Sequence, residues 1–153
     1  MLSLNNNSLV TVPDDAVLKG LKSLESFHLT HNKIILLKTE NFHLLPKLKR
    51  LYLDGNKIAV IENDAFKNLE HLTELDLSGN KLTRLTRHRF QDLKNLERID
   101  LRENSIKFVE EHVFAQLVNI REIELGKSDK SDICTVWLSG DYFNTKCFNT
   151  KFF

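Results

Sequence analysis

A spacing of 24 residues runs through most of this chain and constrains its fold more than any other feature. Leu24, Leu48, Leu72, Leu96 and Ile120 open successive units; Phe27, Leu51, Leu75, Ile99 and Ile123 follow at the fourth position, and Leu29, Leu53, Leu77, Leu101 and Leu125 at the sixth. Asn32, Asn56, Asn80 and Asn104 come next, then Ile34, Ile58, Leu82 and Ile106. Each unit closes through Leu37, Ile61, Leu85, Val109, through Phe42, Phe66, Phe90, Phe114, and through Leu45, Leu69, Leu93, Leu117. Eight columns hold register through four copies without a gap. An earlier partial copy is visible in Leu2, Leu4, Asn7, Leu9, Val12, Val17 or Leu18, and Leu21; it reaches Leu24 one residue late, which places an insertion between Asp14 and Lys19. Beyond Leu125 the pattern fails, with Ser128 where Asn belongs and Lys130 where an aliphatic belongs.

The domain reading follows from that register. Residues 1–125 form one array: a partial repeat 1–23, repeats 24–47, 48–71, 72–95 and 96–119, and a last strand 120–125. Residues 126–153 are expected to be an irregular C-terminal cap, with Ile133, Val136, Trp137, Leu138, Tyr142 and Phe143 available as a lid. The start lies inside a strand, so the chain is expected to be a fragment of a longer product.

Physical chemistry gives each column a task. Leu51-Tyr52-Leu53 and Leu75-Asp76-Leu77 alternate with the period of a strand, sending Leu inward and Tyr52 or Asp76 outward. A strand recurring after a long return stacks in parallel, about 4.7–4.9 Å from its neighbour. The Asn column (Asn7, Asn32, Asn56, Asn80, Asn104) stands where the chain turns inward, and a carboxamide that donates and accepts can satisfy backbone groups no ladder reaches. The return is too short for a stable helix and is expected to form turns or a 3₁₀ segment, with the Phe column stacked inside it.

These columns resemble the leucine-rich repeat family in its 24-residue "typical" form, LxxLxLxxNxLxxLxxxxFxxLxx, over roughly residues 1–125. The resemblance implies an α/β-class solenoid, a right-handed curved stack with a parallel sheet on its concave face and an irregular or 3₁₀ convex face. It also implies protein recognition through the inner surface, and the subtype is similar to that of animal extracellular and receptor-ectodomain proteins. An extracellular or cell-surface location is therefore expected, in adhesion, signalling or innate immunity. The alternatives are an intracellular scaffold and an assembly module pairing two copies through an uncapped end. Caps of the family carry four cysteines beside a Trp; here Cys134 and Cys147 flank Trp137. One Cys134–Cys147 bridge is expected on that basis, the alternatives being two free thiols or pairing elsewhere. Asn6-Asn7-Ser8 is an N-glycosylation acceptor, consistent with secretion.

If the Leu columns face inward, the residues between them form an exposed ruled surface. Its ligand-binding candidates are His28, Arg50, Tyr52, Asp54, Glu74, Asp76, Arg98, Asp100, Arg102 and Glu124. Three carboxylates, Asp76, Asp100 and Glu124, stack in adjacent strands of the middle column, an arrangement a cationic partner would relieve; the alternative is that Arg50, Arg98 and Arg102 already balance them. Tyr52 beside His28 and His31 is the best contact anchor. His28-x-x-His31 lacks a third ligand, so no metal and no cofactor is expected. Lys81, Arg84, Arg87, His88 and Arg89 gather on the return, as a polyanion patch or as a solvated outer face.

Composition removes other classes. Twenty-two basic against twenty-one acidic side chains leave +1, so a globally basic nucleic-acid binder is not expected. No apolar run reaches membrane-spanning length. No phosphate-cradling loop, nucleophile elbow or metal-binding His-Glu helix is present, so the chain is not expected to be an enzyme.

Overall fold

The computed structural model describes residues 1–110 and 112–126 in full, and the backbone of 134–139 and 142–145. Strands β1 (Leu2–Ser3), β2 (Ser26–His28), β4 (Arg50–Tyr52), β6 (Glu74–Asp76), β8 (Arg98–Asp100) and β10 (Glu122–Leu125) form one parallel run. On the return, β3 (Leu36–Leu37) pairs with β5 (Val60–Ile61), and β7 (Arg84–Leu85) with β9 (Phe108–Val109). The result is a parallel β-solenoid. Among the described residues helix is confined to α1 (Asp15–Leu18) and one 3₁₀ turn, Arg87–Arg89.

Register reproduces the sequence columns. Phe27 opposes Leu51, Leu51 opposes Leu75, Leu75 opposes Ile99 and Ile99 opposes Ile123. The first pairing, Leu2 with Phe27, is one residue longer, and the extra residue is taken up near α1. There Asp14 caps the helix, accepting the Val17 N–H on its side chain at 3.3 Å. The helix buries Leu18 and leaves Val17 exposed, which decides which of the two fills the core column.

Each return closes by two successive three-residue steps: Leu69 N–H donates to Phe66 O, and Leu72 N–H to Leu69 O, with the same pair of bonds in the coils of Phe42, Phe90 and Phe114. Such tight turns lock Phe42, Phe66, Phe90 and Phe114 at 6.1, 6.4 and 6.1 Å between ring centroids, a continuous aromatic column through the core.

The Asn column ties coil to coil. Asn80 Nδ2 donates to Leu53 O of the preceding coil at 3.0 Å and to Leu77 O of its own at 3.0 Å, while its Oδ1 accepts the Ile58 N–H at 2.9 Å. Asn56 repeats this with Leu29 O, Leu53 O and the Ile34 N–H, and Asn32 with Leu4 O, Leu29 O and the Leu9 N–H. Asn104 makes the same bonds but is half-buried, and Asn7 is exposed, reaching only carbonyls of its own coil, Leu4 and Asn5. The column is thus buried at Asn32, Asn56 and Asn80.

The residue before each Asn is left-handed: Asn6, His31, Gly55, Gly79 and Glu103 have φ between 54° and 64°. Gly55 suits that conformation, and it also makes room for the His31 ring, whose Nδ1 would lie 2.1 Å from an added Cβ.

Where irregular chain was expected after residue 126, the backbone supplies β11 (Cys134–Ser139) and β12 (Tyr142–Thr145), adding antiparallel to β10. The side chains of the lid and the Cys134–Cys147 bridge lie outside the described residues.

Asn80→Ala is expected to destabilise the fold by roughly 2–5 kcal/mol, since several buried backbone groups lose their partner together. Asn7→Ala should cost well under about 1 kcal/mol. Urea unfolding of both variants checks this, and equal costs would contradict the assigned role of the buried amides.

Candidate functional site

Outward residues of the sheet divide into three zones. At the N-terminal end His28 stacks on Tyr52 with centroids 4.5 Å apart, and His28 Nε2 lies 2.9 Å from Ser26 Oγ. The Tyr52 hydroxyl donates to Glu74 Oε2 at 3.0 Å, spanning β4 to β6. Burial first, and then the Glu74 carboxylate, push this phenol above its ordinary value.

The central zone is acidic. Asp54 accepts the Thr30 hydroxyl at 2.8 Å, and Asp76 accepts the Ser78 N–H at 2.9 Å. Burial raises the Asp76 carboxyl, the Ser78 bonds oppose the rise, and Asp100 and Asp54 add to it. Asp54, Glu74 and Asp76 have no ion-pair partner among the described residues.

The C-terminal zone is closed by its own cations. Arg98 reaches Glu122 at 3.3 Å and Glu124 at 2.5 Å; Arg102 reaches Asp100 at 2.5 Å and Glu124 at 2.8 Å. Asp100 and Glu124 are consequently only 5% and 7% exposed. The expected open row of three carboxylates is therefore reduced to Asp76, with Asp54 and Glu74 beside it in place of Asp100 and Glu124. Hydrogen bonds to Glu124 and to Asp100 raise the pKa values of Arg98 and Arg102 respectively, so both remain charged. Arg50 is exposed and opposes Glu74 across the ladder without an ion pair.

Other candidates disperse. His28 and His31 have separate partners, Tyr52 with Ser26 and the Gly55 backbone. Among the described residues no group of three or more His, Cys, Asp or Glu could hold a metal ion. On the return, Arg87 is paired with Glu110 at 2.8 Å, Arg84 lies 4.5 Å over the Phe108 ring, and Arg89 donates to Arg84 O at 2.8 Å. The expected basic cluster is thus largely occupied internally, leaving Lys81 at its margin. A cleft of about 590 Å³ lies between the first two returns, lined by Val12, Pro13, Asp15, Leu36 and His43 among others. His43 Nδ1 there lies 2.6 Å from Glu40 O, and its Nε2 3.8 Å from Asp15. No described helix is long and apolar enough to cross a membrane.

The sequence pattern located the sheet-face residues but not their pairing, and it missed the left-handed turn residues His31 and Glu103, because neither is glycine.

Comparison with known proteins places this geometry. The family model described as "Leucine rich repeat" matches residues 1–58, 46–101 and 70–129. No curated protein matches the chain. Among solved structures, a complex of TLR13 with a single-stranded RNA, ssRNA13, superposes with TM-score 0.75 at 28% identity, over 80% of this chain and 18% of that one. The Toll–Spatzle complex, described as a hub in Drosophila development and innate immunity, superposes with TM-score 0.68 at 24% identity, over 74% of this chain and 15% of that one. The chain thus spans less than a fifth of the length of either of these matched chains.

Asp76→Asn is expected to raise Tm by a few degrees at neutral pH, because the half-buried carboxylate is charged there at a cost and Asn keeps the Ser78 bond. A raised folded-state value means the penalty fades as pH falls through it and is gone below about 3.9, the unfolded value. Thermal unfolding of both proteins from neutral to acid pH checks it; a gap that widens on acidification would contradict the burial argument.

Proposed function

The chain belongs to the leucine-rich repeat family, and from that premise we propose that it is a non-enzymatic recognition module binding a protein ligand through its sheet face. The observation that carries this reading is the His28–Tyr52 stack standing beside three carboxylates, Asp54, Glu74 and Asp76, that form no ion pair among the described residues. Aromatic side chains anchor interface centres, and carboxylates around them act as a polar rim that selects a cationic partner. The ligand it fits carries Lys or Arg around an apolar contact.

Catalysis is disfavoured by the same geometry. Asp76 and Asp100 do not make an acid/base pair, since Asp100 is held by Arg102, and the face is open where catalysis needs a water-excluding pocket.

Of the solved structures it resembles, TLR13 is in complex with single-stranded RNA and Toll with Spatzle, so RNA is the class to weigh against a protein ligand. Global charge does not exclude nucleic acid here, because a local surface decides binding. On the sheet face the acidic centre repels phosphate, which favours the protein class. An extracellular ectodomain is the setting we propose, with an intracellular scaffold or a self-pairing module as the competing ones. It rests on the likeness to Toll and TLR13 and on the Asn6 acceptor, which is exposed in a left-handed turn.

A Lys/Arg-rich peptide library displayed against the full chain is expected to yield salt-sensitive binders. Asp54→Asn with Asp76→Asn should weaken them about tenfold, and Tyr52→Ala by a similar factor. Binders indifferent to all three changes would overturn the sheet-face assignment, and single-stranded RNA selected over the peptides would overturn the ligand class.

Expression through a eukaryotic secretory pathway is expected to add a glycan that an amidase removes and that Asn6→Gln abolishes. Mass spectrometry reads it, and an unmodified secreted chain would count against the extracellular reading.

A further inference from the structure

The residue after each core amide is Lys33, Lys57 and Lys81 in three consecutive coils. All three are exposed. Their backbones are locked in step: Lys57 N–H donates to Ile34 O and Lys81 N–H to Ile58 O, each bond made to the residue following the previous lysine. Coil spacing therefore sets the row, about 4.7–4.9 Å per step. None of the three has an ion-pair partner among the described residues. Lys107 extends this flank in the next coil, its N–H bonded to Thr83 O, and Arg84 lies beside it over Phe108.

Three ammonium groups held in register at that spacing repel one another, and among the described residues no carboxylate pairs with them. The acids of the same coils stand elsewhere: Asp54 and Asp76 on the sheet face, beyond the left-handed turns at Gly55 and Gly79. We infer that the Lys33–Lys57–Lys81 flank is a second binding surface, distinct from the sheet face, for a sulfated polysaccharide. A linear polyanion lying across the coils meets one cation per coil and releases counterions along its length. A single-stranded nucleic acid offers the same charge but binds by stacking bases on aromatic side chains. Beside this row the exposed large apolar side chains are aliphatic, Val10, Ile35 and Val60, and in the coil after Lys81 Phe108 is half-exposed with the Arg84 guanidinium 4.5 Å over its ring. One ring at the end of the row is not the succession of aromatic platforms on which stacked bases are held, so one cation per coil favours the sulfated chain.

Heparin affinity chromatography of the full chain tests this, with a salt gradient and with the triple variant Lys33→Gln, Lys57→Gln, Lys81→Gln. The wild type is expected to stay bound above about 0.15 M salt. The triple variant should elute well below it, and the slope of log affinity against log salt should fall by about 2–3. The Lys→Arg triple variant should retain binding, which separates lost charge from lost folding, and Asp54→Asn with Asp76→Asn should leave it intact. Wild type that washes through at 0.15 M, or a Gln variant retained as strongly as the wild type, overturns the proposal. Single-stranded RNA of equal charge binding more tightly than heparin through the same lysines also overturns it, in favour of a nucleic-acid site.

Discussion

A carboxamide that donates and accepts in the same plane is what makes these coils stackable. After β1, β2, β4, β6 and β8 the backbone swings through a left-handed residue, and the turn leaves carbonyls and an N–H pointing into the apolar interior. Asn32, Asn56 and Asn80 satisfy them in both directions, two carbonyls from Nδ2 and one N–H of the preceding coil on Oδ1. Hydrophobic burial supplies most of the driving force, but it is indifferent to register. The amide is not, because a slip of one residue removes every one of its partners at once.

With the interior fixed in this way, the outward positions are released from the demands of the core. Leu51 and Leu75 must be apolar; Tyr52 and Asp76 need only be tolerated. The chain uses that freedom unevenly. Toward the C-terminal end Arg98 and Arg102 cross between β8 and β10 and neutralise Asp100, Glu122 and Glu124. Those pairs fasten the last coil of the parallel run, and they remove its carboxylates from any ligand. The central coils are joined on this face by the Thr30–Asp54 and Tyr52–Glu74 hydrogen bonds and not by ion pairs among the described residues, so their carboxylates keep their charge toward solvent.

Periodicity explains why so much of the fold was legible. Inward columns repeat because the environment repeats, and register, the aromatic column and the buried amides all follow from identical environments at a 24-residue interval. The one-residue excess in the first coil was visible too, although only the structure decides that α1 buries Leu18 and exposes Val17. The candidate site was legible as a set of positions and illegible as chemistry. Which carboxylate an Arg takes depends on side-chain reach across neighbouring strands, so Asp100 and Asp76 look alike in sequence and differ in the structure. Left-handed turns escaped notice for a related reason: the local signal is glycine, and His31 and Glu103 adopt the conformation because the stacked neighbours impose it.

The same turn that orders the interior also separates charge on the exterior. Asp54 ends the outward face of one strand; two residues later Asn56 is buried; Lys57 then emerges on the flank. A buried amide between an acid and a lysine keeps them on different surfaces although only three positions separate them. Side chains so placed cannot neutralise each other as an i, i+3 pair would on a helix. Net charge near zero therefore conceals an acidic sheet centre and a cationic flank, each repeated by the coil spacing. A partner meeting the solenoid responds to one of these fields at contact distance, since screening erases the other beyond about 8–10 Å.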